Sequence, residues 1–482
     1  MAKSRRQSKV VEAGDGILRL LPPDSITRHK IDLGDLTLDY TATAGTIPLF
    51  DRAGERSAAI FYTAYVADGV DKAKRPLTFV FNGGPGAASA FLNLCLVGPK
   101  IVELGAENRD GAVIRLRDNP NTWLAFSDLV LIDPVGTGWS RPAKPDGGGA
   151  FWGVAGDARS IANAIARYVT KNRRIASPKY LIGESYGGFR AVKLAHVLRS
   201  DQGHMISGIV MVSPLLDHTK TLMDHHVALG AALRLPSLVA AELERRGALS
   251  EQKLAEAERF ALTEYLIALV GPPLQGEAGR AFYARVAQMT GLPEDVVSRS
   301  SGFIRDAYIK NLRSAERKIV SPYDISFAVD DPFPEQRQAR GPDPFADGLI
   351  RAYGGAFADY AHNELGFKTD LTYVLFSPDI ARKWDWGDGA GSTLSSVSVD
   401  LRNLLALSPS FRLLIGHGLS DLKIPYAVSR YVLNHLPQIG GRDRTQLRLY
   451  RGGHMYYRDA ESRRAFTADA RTFYETASAM QS

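Results

Sequence analysis

Tyr180-Leu181-Ile182-Gly183-Glu184-Ser185-Tyr186-Gly187-Gly188 decides how this chain is read. Three β-favouring apolar residues run into a glycine-flanked serine, and apolar positions at helical spacing follow over 191–198. A strand that turns sharply into a helix needs glycines where the backbones crowd, and it lifts the central side chain clear of the sheet. In a chain with 45 glycines the pattern G-x-S-x-G means little alone, so its placement between strand and helix carries the reading.

Outward from that turn the same alternation recurs. Pro76 to Phe81 is a near-continuous apolar run, as expected of a strand buried on both faces, and 129–132, 206–212, 411–415 and 447–450 are similar. Between them, 157–170 has Ile161, Ile165 and Val169 on one helical face, and 426–436 is a further helix. Strands alternating with helices predict an α/β class with a mostly parallel sheet flanked by helices. The segment 218–370 breaks the rhythm with helical stretches at 237–249 and 251–270 and a Pro- and Asp-rich loop over 329–345. The expected organisation is an N-terminal extension over 1–40, a core over 41–217 and 371–482, and a mainly helical cap insertion over 218–370.

Composition narrows the function classes. Of 482 residues, 45% are hydrophobic and 23% charged, which is ordinary globular usage. The net charge of +7 is dilute and scattered apart from Lys3-Ser4-Arg5-Arg6, so no nucleic-acid partner is expected. No stretch reaches the ~20 apolar residues of a membrane span, and no apolar run follows the basic N-terminus. A cytoplasmic location is the expectation. Cys95 is the sole cysteine, which excludes an intramolecular disulfide and a multi-cysteine metal site. It reads as a small buried residue.

A serine nucleophile needs a base, and the base an orienting acid. Asp421 and His454 follow the strands 411–415 and 447–450 in the order acid, then histidine. His417 precedes the acid and reads as a site-lining or turn-capping residue. Asn82-Gly83-Gly84-Pro85-Gly86 directly follows the strand ending at Phe81, where its backbone N–H groups suit an oxyanion. A phosphate cradle would need a Gly-Lys-Ser/Thr ending, which is lacking. Asp217, His218, Asp224, His225 and His226 lack ligand spacing, so no metal or other cofactor is expected. Trp384-Asp385-Trp386 is expected to pack against the insertion, with lining of the cleft as the alternative.

FNGGPGAAS (81–89), GESYGG (183–188), DLKIP (421–425) and GGHM (452–455), with VGPK (97–100) and NPNTWLAFSDLVLIDPVGTGWS (119–140), together resemble the serine carboxypeptidases, peptidase family S10. The resemblance implies an α/β-hydrolase fold and release of C-terminal residues from peptides. It implies Ser185 as nucleophile, His454 as base and acid, Asp421 as its orienter, and Gly84 and Tyr186 N–H as oxyanion donors. Asn82 and Glu184 would bind the terminal carboxylate, with Glu184 protonated to donate a hydrogen bond. The chain departs from the family's pattern at Val80, Ala87, Leu96 and Tyr456-Tyr457; Leu96 stands where a second carboxylate-binding acid is usual, which implies a thinner carboxylate site. An esterase or acyltransferase with the same triad is the alternative. A catalytically dead scaffold would be expected to lose part of the triad or the glycine loop.

Overall fold

The computed structural model describes residues 16–104, 111–387 and 395–479; the basic run Lys3 to Arg6 lies outside them. Among the described residues the chain begins with β1 (Ser25–Asp32), β2 (Thr37–Phe50), β3 (Arg56–Ala67) and β4 (Leu77–Phe81). β5 (Lys100–Leu104) and β6 (Ile114–Asp118) pair with each other. Then come β7 (Asp128–Ile132), β8 (Arg141–Pro142), β9 (Lys179–Glu184) and β10 (Gly208–Val212). β11 (Lys318–Val320) pairs with β12 (Ala328–Asp330), and β13 (Arg412–Gly418) and β14 (Thr445–Tyr450) follow.

The main sheet has the order β1-β2-β3-β7-β4-β9-β10-β13-β14, with β8 on β3. From β7 to β14 every pair is parallel, while β1, β2 and β3 join antiparallel at one side. The chain steps from β4 outward to β7 and then returns to the other flank of β4 as β9. The ends of β4 and β9 therefore border a topological switch point, where open α/β sheets leave a crevice for ligands.

Each central strand divides its side chains between two cores. Phe79, Phe81, Val130 and Ile132 enter one cluster with Ile161 and Ile165 of the Val154–Lys171 helix and Val192 of the Tyr186–Gln202 helix. Val80, Leu129 and Leu131 enter the other, with Phe466, Ala470 and Phe473 of the Ala460–Ala479 helix. Two covered faces explain why these strands read as continuous apolar runs.

Two expectations change. The 1–40 extension is not simply a leader, since β1 lies within it and its register against β2 runs from Ser25 opposite Ala44 to Asp32 opposite Thr37. Only Ile31 of β1 is buried, so this edge strand has no apolar run to reveal it. In the stretch expected to be helical, the first long helix spans Ala228–Arg245 with Pro236 inside it, and the helix from Glu251 passes through a π turn at Ala261–Tyr265 before ending at Val270. These helices hold a separate cluster that includes Leu235, Phe260, Val286 and Tyr308, together with Leu422 beside Asp421. No helix among the described residues is long and apolar enough to cross a membrane.

Phe79 is fully buried, whereas Ile26 on β1 is 69% exposed. Phe79→Ala is expected to cost about 3–5 kcal/mol and Ile26→Ala under about 0.5 kcal/mol, read from urea denaturation midpoints. Equal effects would contradict the burial pattern.

Candidate active site

The turn after β9 has the geometry its glycines suggest. Ser185 adopts φ 58° and ψ −124° immediately before the Tyr186–Gln202 helix, a left-handed conformation costly for a side chain with a Cβ. Its N–H donates to the Val212 carbonyl at 2.9 Å, and its own carbonyl accepts from Gly188 and Leu215 N–H at 3.0 Å each. A Cβ on Gly183 would lie 1.9 Å from the Gly187 oxygen, and one on Gly187 would lie 2.7 Å from the Phe81 oxygen. The glycines are where strand, helix and the end of β4 touch backbone to backbone.

The loop 82–86 lies against this turn. A Cβ on Gly83 would sit 2.5 Å from both the Glu184 oxygen and the Tyr186 nitrogen. The Tyr186 N–H begins a helix and so has no intrahelical acceptor. Gly84, Tyr186, Ser185 and His454 all line one cavity of about 610 Å³. Arg190 anchors the loop: its Nη1 donates to the Asn82 carbonyl, while its Nε pairs with buried Asp157 at 2.6 Å.

Asn82 and Glu184 meet directly. Asn82 Oδ1 accepts from Leu92 N–H at 3.1 Å, which aims Nδ2 at Glu184 Oε2. The other carboxylate oxygen accepts from the Tyr457 hydroxyl at 2.8 Å. Burial pushes the Glu184 carboxyl up to about 7, against the lowering pull of His454, Tyr457 and Asn82. Tyr457 has no role in the sequence pattern beyond its departure from the family's usual residues after the histidine. Leu96 is fully buried in an apolar cluster.

Asp421 and His454 are joined by a 2.7 Å bond between Oδ2 and Nδ1. Asp421 Oδ1 accepts from the N–H groups of Lys423 and Ile424 at 2.8 and 2.9 Å, so both oxygens are engaged. Burial pulls the imidazole down, but the charge and hydrogen bond of Asp421 outweigh it and hold His454 above its ordinary value. Its backbone is fixed by N–H donation to the Tyr323 carbonyl at 2.6 Å and by the Ser213 hydroxyl on its carbonyl at 2.8 Å.

The remaining candidates separate from this site. His417 is buried within β13, not at a turn; it is 2.8 Å from the Ser429 hydroxyl, and burial lowers its pKa to about 3, leaving it neutral. Cys95 is buried and its thiol is pushed up to about 12 by desolvation. Trp386 lines the cavity and stacks on His218 at 3.8 Å, so this tryptophan belongs to the cleft and not only to the packing of its loop. Ligand atoms of His225, His226 and Asp306 lie within 4.8 Å of one another, a grouping that sequence spacing did not show.

Removing the Tyr457 hydroxyl takes away a donor that favours the charged carboxylate. Tyr457→Phe is therefore expected to raise the Glu184 pKa above about 7, read by carbon-13 NMR or infrared titration. Because the folded-state pKa exceeds the ordinary 4.5, Glu184 destabilises the fold progressively as pH rises from 4.5 to about 7. Glu184→Gln should thus gain stability relative to the parent at pH 8 compared with pH 4.

Comparison with known proteins gives a matching picture. Residues 43–237 match the serine carboxypeptidase family, peptidase S10, a stretch that holds Asn82, Glu184 and Ser185 but neither Asp421 nor His454. Serine carboxypeptidase-like 42 of Arabidopsis thaliana is 30% identical over 191 residues, 38% of each chain. A carboxypeptidase Y homolog of Arthroderma benhamiae is 28% identical over 211 residues, 42% of this chain and 37% of that one. The matched stretch thus spans about two fifths of the length of these curated relatives. The crystal structure of a prohormone-processing carboxypeptidase from Saccharomyces cerevisiae aligns over 93% of both chains with a TM-score of 0.53 at 15% identity, a likeness of fold. Residues 43–237 are thus similar in sequence to the serine carboxypeptidases, peptidase family S10, and nearly the whole length shares the α/β-hydrolase fold of that solved carboxypeptidase.

Proposed function

We propose that the chain is a serine carboxypeptidase that removes C-terminal residues from peptides through an acyl-enzyme on Ser185. The observation that carries this reading is the buried Asp421–His454 pair, whose histidine lines the same cavity as Ser185, Asn82 and Glu184, with Tyr457 bonded to Glu184 behind them. Asp421 holds Nδ1–H of His454, which leaves Nε2 as the nitrogen that takes the Ser185 proton as Oγ attacks the scissile carbonyl. The N–H groups of Gly84 and Tyr186 receive the developing oxyanion. His454 then protonates the departing amine, the terminal amino acid leaves, and water attacks the ester through the same base.

Glu184 and Asn82 receive the substrate's terminal carboxylate. Two carboxylates within hydrogen-bond reach cannot both stay charged cheaply, so Glu184 works protonated. Its pKa near 7 makes that attainable in mildly acidic solution without a second acid at position 96. The segment 218–370 is read as a cap over the core of 41–217 and 371–482, its Tyr323 carbonyl bracing the catalytic histidine. The free, buried Cys95 is compatible with a reducing compartment such as the cytoplasm.

A blocked dipeptide with a free C-terminus, its amide and its methyl ester separate this reading from an esterase or acyltransferase. Cleavage of the free acid should rise as His454 loses its proton, then fall as Glu184 ionises above about 7, while ester cleavage keeps its upper limb. Ser185→Ala should lower kcat at least about 10⁴-fold. Ester turnover alone, with no advantage for the free acid at any pH, would contradict the carboxypeptidase.

A further inference from the structure

The cavity of Ser185 also carries four cations that neither the proposed triad nor the carboxylate site uses: Arg351, which pairs with Asp347, and Arg234, Arg305 and Lys423. Arg234 sits on the Ala228–Arg245 helix and is 2% exposed. Its Nη2 donates to the Met223 carbonyl at 3.2 Å, while Nε and Nη1 are buried with no partner. Arg305, at the start of the Arg305–Asn311 helix, is 3.2 Å from His225 Nδ1 through Nη1. Its buried Nε has no hydrogen bond, and the nearest Asp306 oxygen is 3.9 Å away. Lys423 lies two residues beyond Asp421, with its ammonium 5.1 Å from the centre of the Tyr323 ring.

The acids on the same walls are already occupied. Asp343 accepts from the Ser321 hydroxyl and from the N–H groups of Phe345 and Ala346. Asp347 pairs with Arg351 at 3.1 Å. Asp306 is shared with His225 at 3.0 Å and half exposed. Arg234 and Lys423 thus face the cavity without a paired carboxylate, and Arg305 has only the long contact to Asp306 at 3.9 Å. Burying a guanidinium with two unmade hydrogen bonds is unfavourable, and the planar fork it presents matches a carboxylate. Burial and the Arg305 charge lower Arg234 only to about 10, so it stays charged at neutral pH.

We infer that Arg234, Arg305 and Lys423 form a subsite for an acidic side chain of the substrate, an aspartate or glutamate next to the scissile bond. The inference rests on the peptidase reading above, and it makes the enzyme selective for acidic peptides. The terminal carboxylate itself goes to Asn82 and Glu184, so the cluster takes a second negative charge.

The test uses the full chain and blocked peptides that carry Glu or its neutral isostere Gln, at the penultimate position in one pair and the terminal position in the other. One pair should show kcat/KM at least about tenfold higher for Glu, the size expected of a charge-assisted hydrogen bond. Arg234→Met should cut the acidic peptide's kcat/KM at least about tenfold more than that of its neutral partner, and Lys423→Met should narrow the same ratio. Equilibrium binding of both peptides to Ser185→Ala reads the subsite without turnover. If no peptide is cleaved although Ser185 reacts with a fluorophosphonate, the peptidase reading fails, and this binding comparison still decides the subsite. Arg234→Met should also raise Tm, because it removes an unpaired buried charge. Equal kcat/KM and equal binding for Glu and Gln would overturn the inference. So would a Glu preference that survives both substitutions, or an Arg234→Met protein that melts lower and slows both peptides alike.

Discussion

The site depends on a serine held where a serine does not rest comfortably. Ser185 at φ 58° is kept there by the parallel strands β9 and β10 and by hydrogen bonds to Val212, Gly188 and Leu215. Everything around it follows from that turn. Gly183 and Gly187 must lack side chains, and the helix begins at Tyr186, which lines the cavity. Glu184, one residue before the serine, is forced inward beside Asn82. The switch point between β4 and β9 then brings the 82–86 loop onto the same turn. One local strain, paid for by the sheet, fixes Ser185, Glu184 and the start of the Tyr186 helix relative to one another.

Electrostatics divides the labour among groups that sit close together. Asp421 has both oxygens occupied by donors and supports a positive charge on His454. Glu184 is deep enough for its proton to be retained near neutrality, although two donors and the nearby imidazole oppose this. His417 is neutral and so adds no rival charge beside His454. The segment between β10 and β13 reaches the site: Tyr323, in the turn between β11 and β12, accepts from His454 N–H, and Leu422 packs in the core of the inserted helices. Packing of that insertion is therefore coupled to the alignment of the acid and the histidine.

Much of this was legible in the residues. The central strands are legible because both faces are buried, and Ser185 and Asp421 because each follows such a strand; His454 follows β14, an edge strand with only Tyr450 buried, and is legible from its Gly-Gly-His string and its place after the acid. β1 was not legible, since an edge strand of sequence SITRHKID buries a single residue and carries no apolar run. Tyr457 was visible only as an unusual residue after the histidine; that its hydroxyl reaches Glu184, 273 positions away, depends on tertiary packing. The Arg234, Arg305 and Lys423 cluster was hidden for the same reason, because its members come from separate elements and their local sequences look like ordinary charged helix and loop. Sequence patterns report what neighbours along the chain share, and these contacts are between distant segments.

The proposed reaction stands or falls on acylation of Ser185 by the part of a peptide that precedes its terminal residue. The most direct measurement is acid-quench mass spectrometry of the protein mixed with a blocked depsipeptide, whose ester bond makes acylation fast enough for the intermediate to accumulate. The account predicts an adduct on Ser185 with the mass of the substrate less its terminal hydroxy acid, which appears free in solution. An adduct on another residue, or turnover with the whole substrate still attached to Ser185, would contradict it.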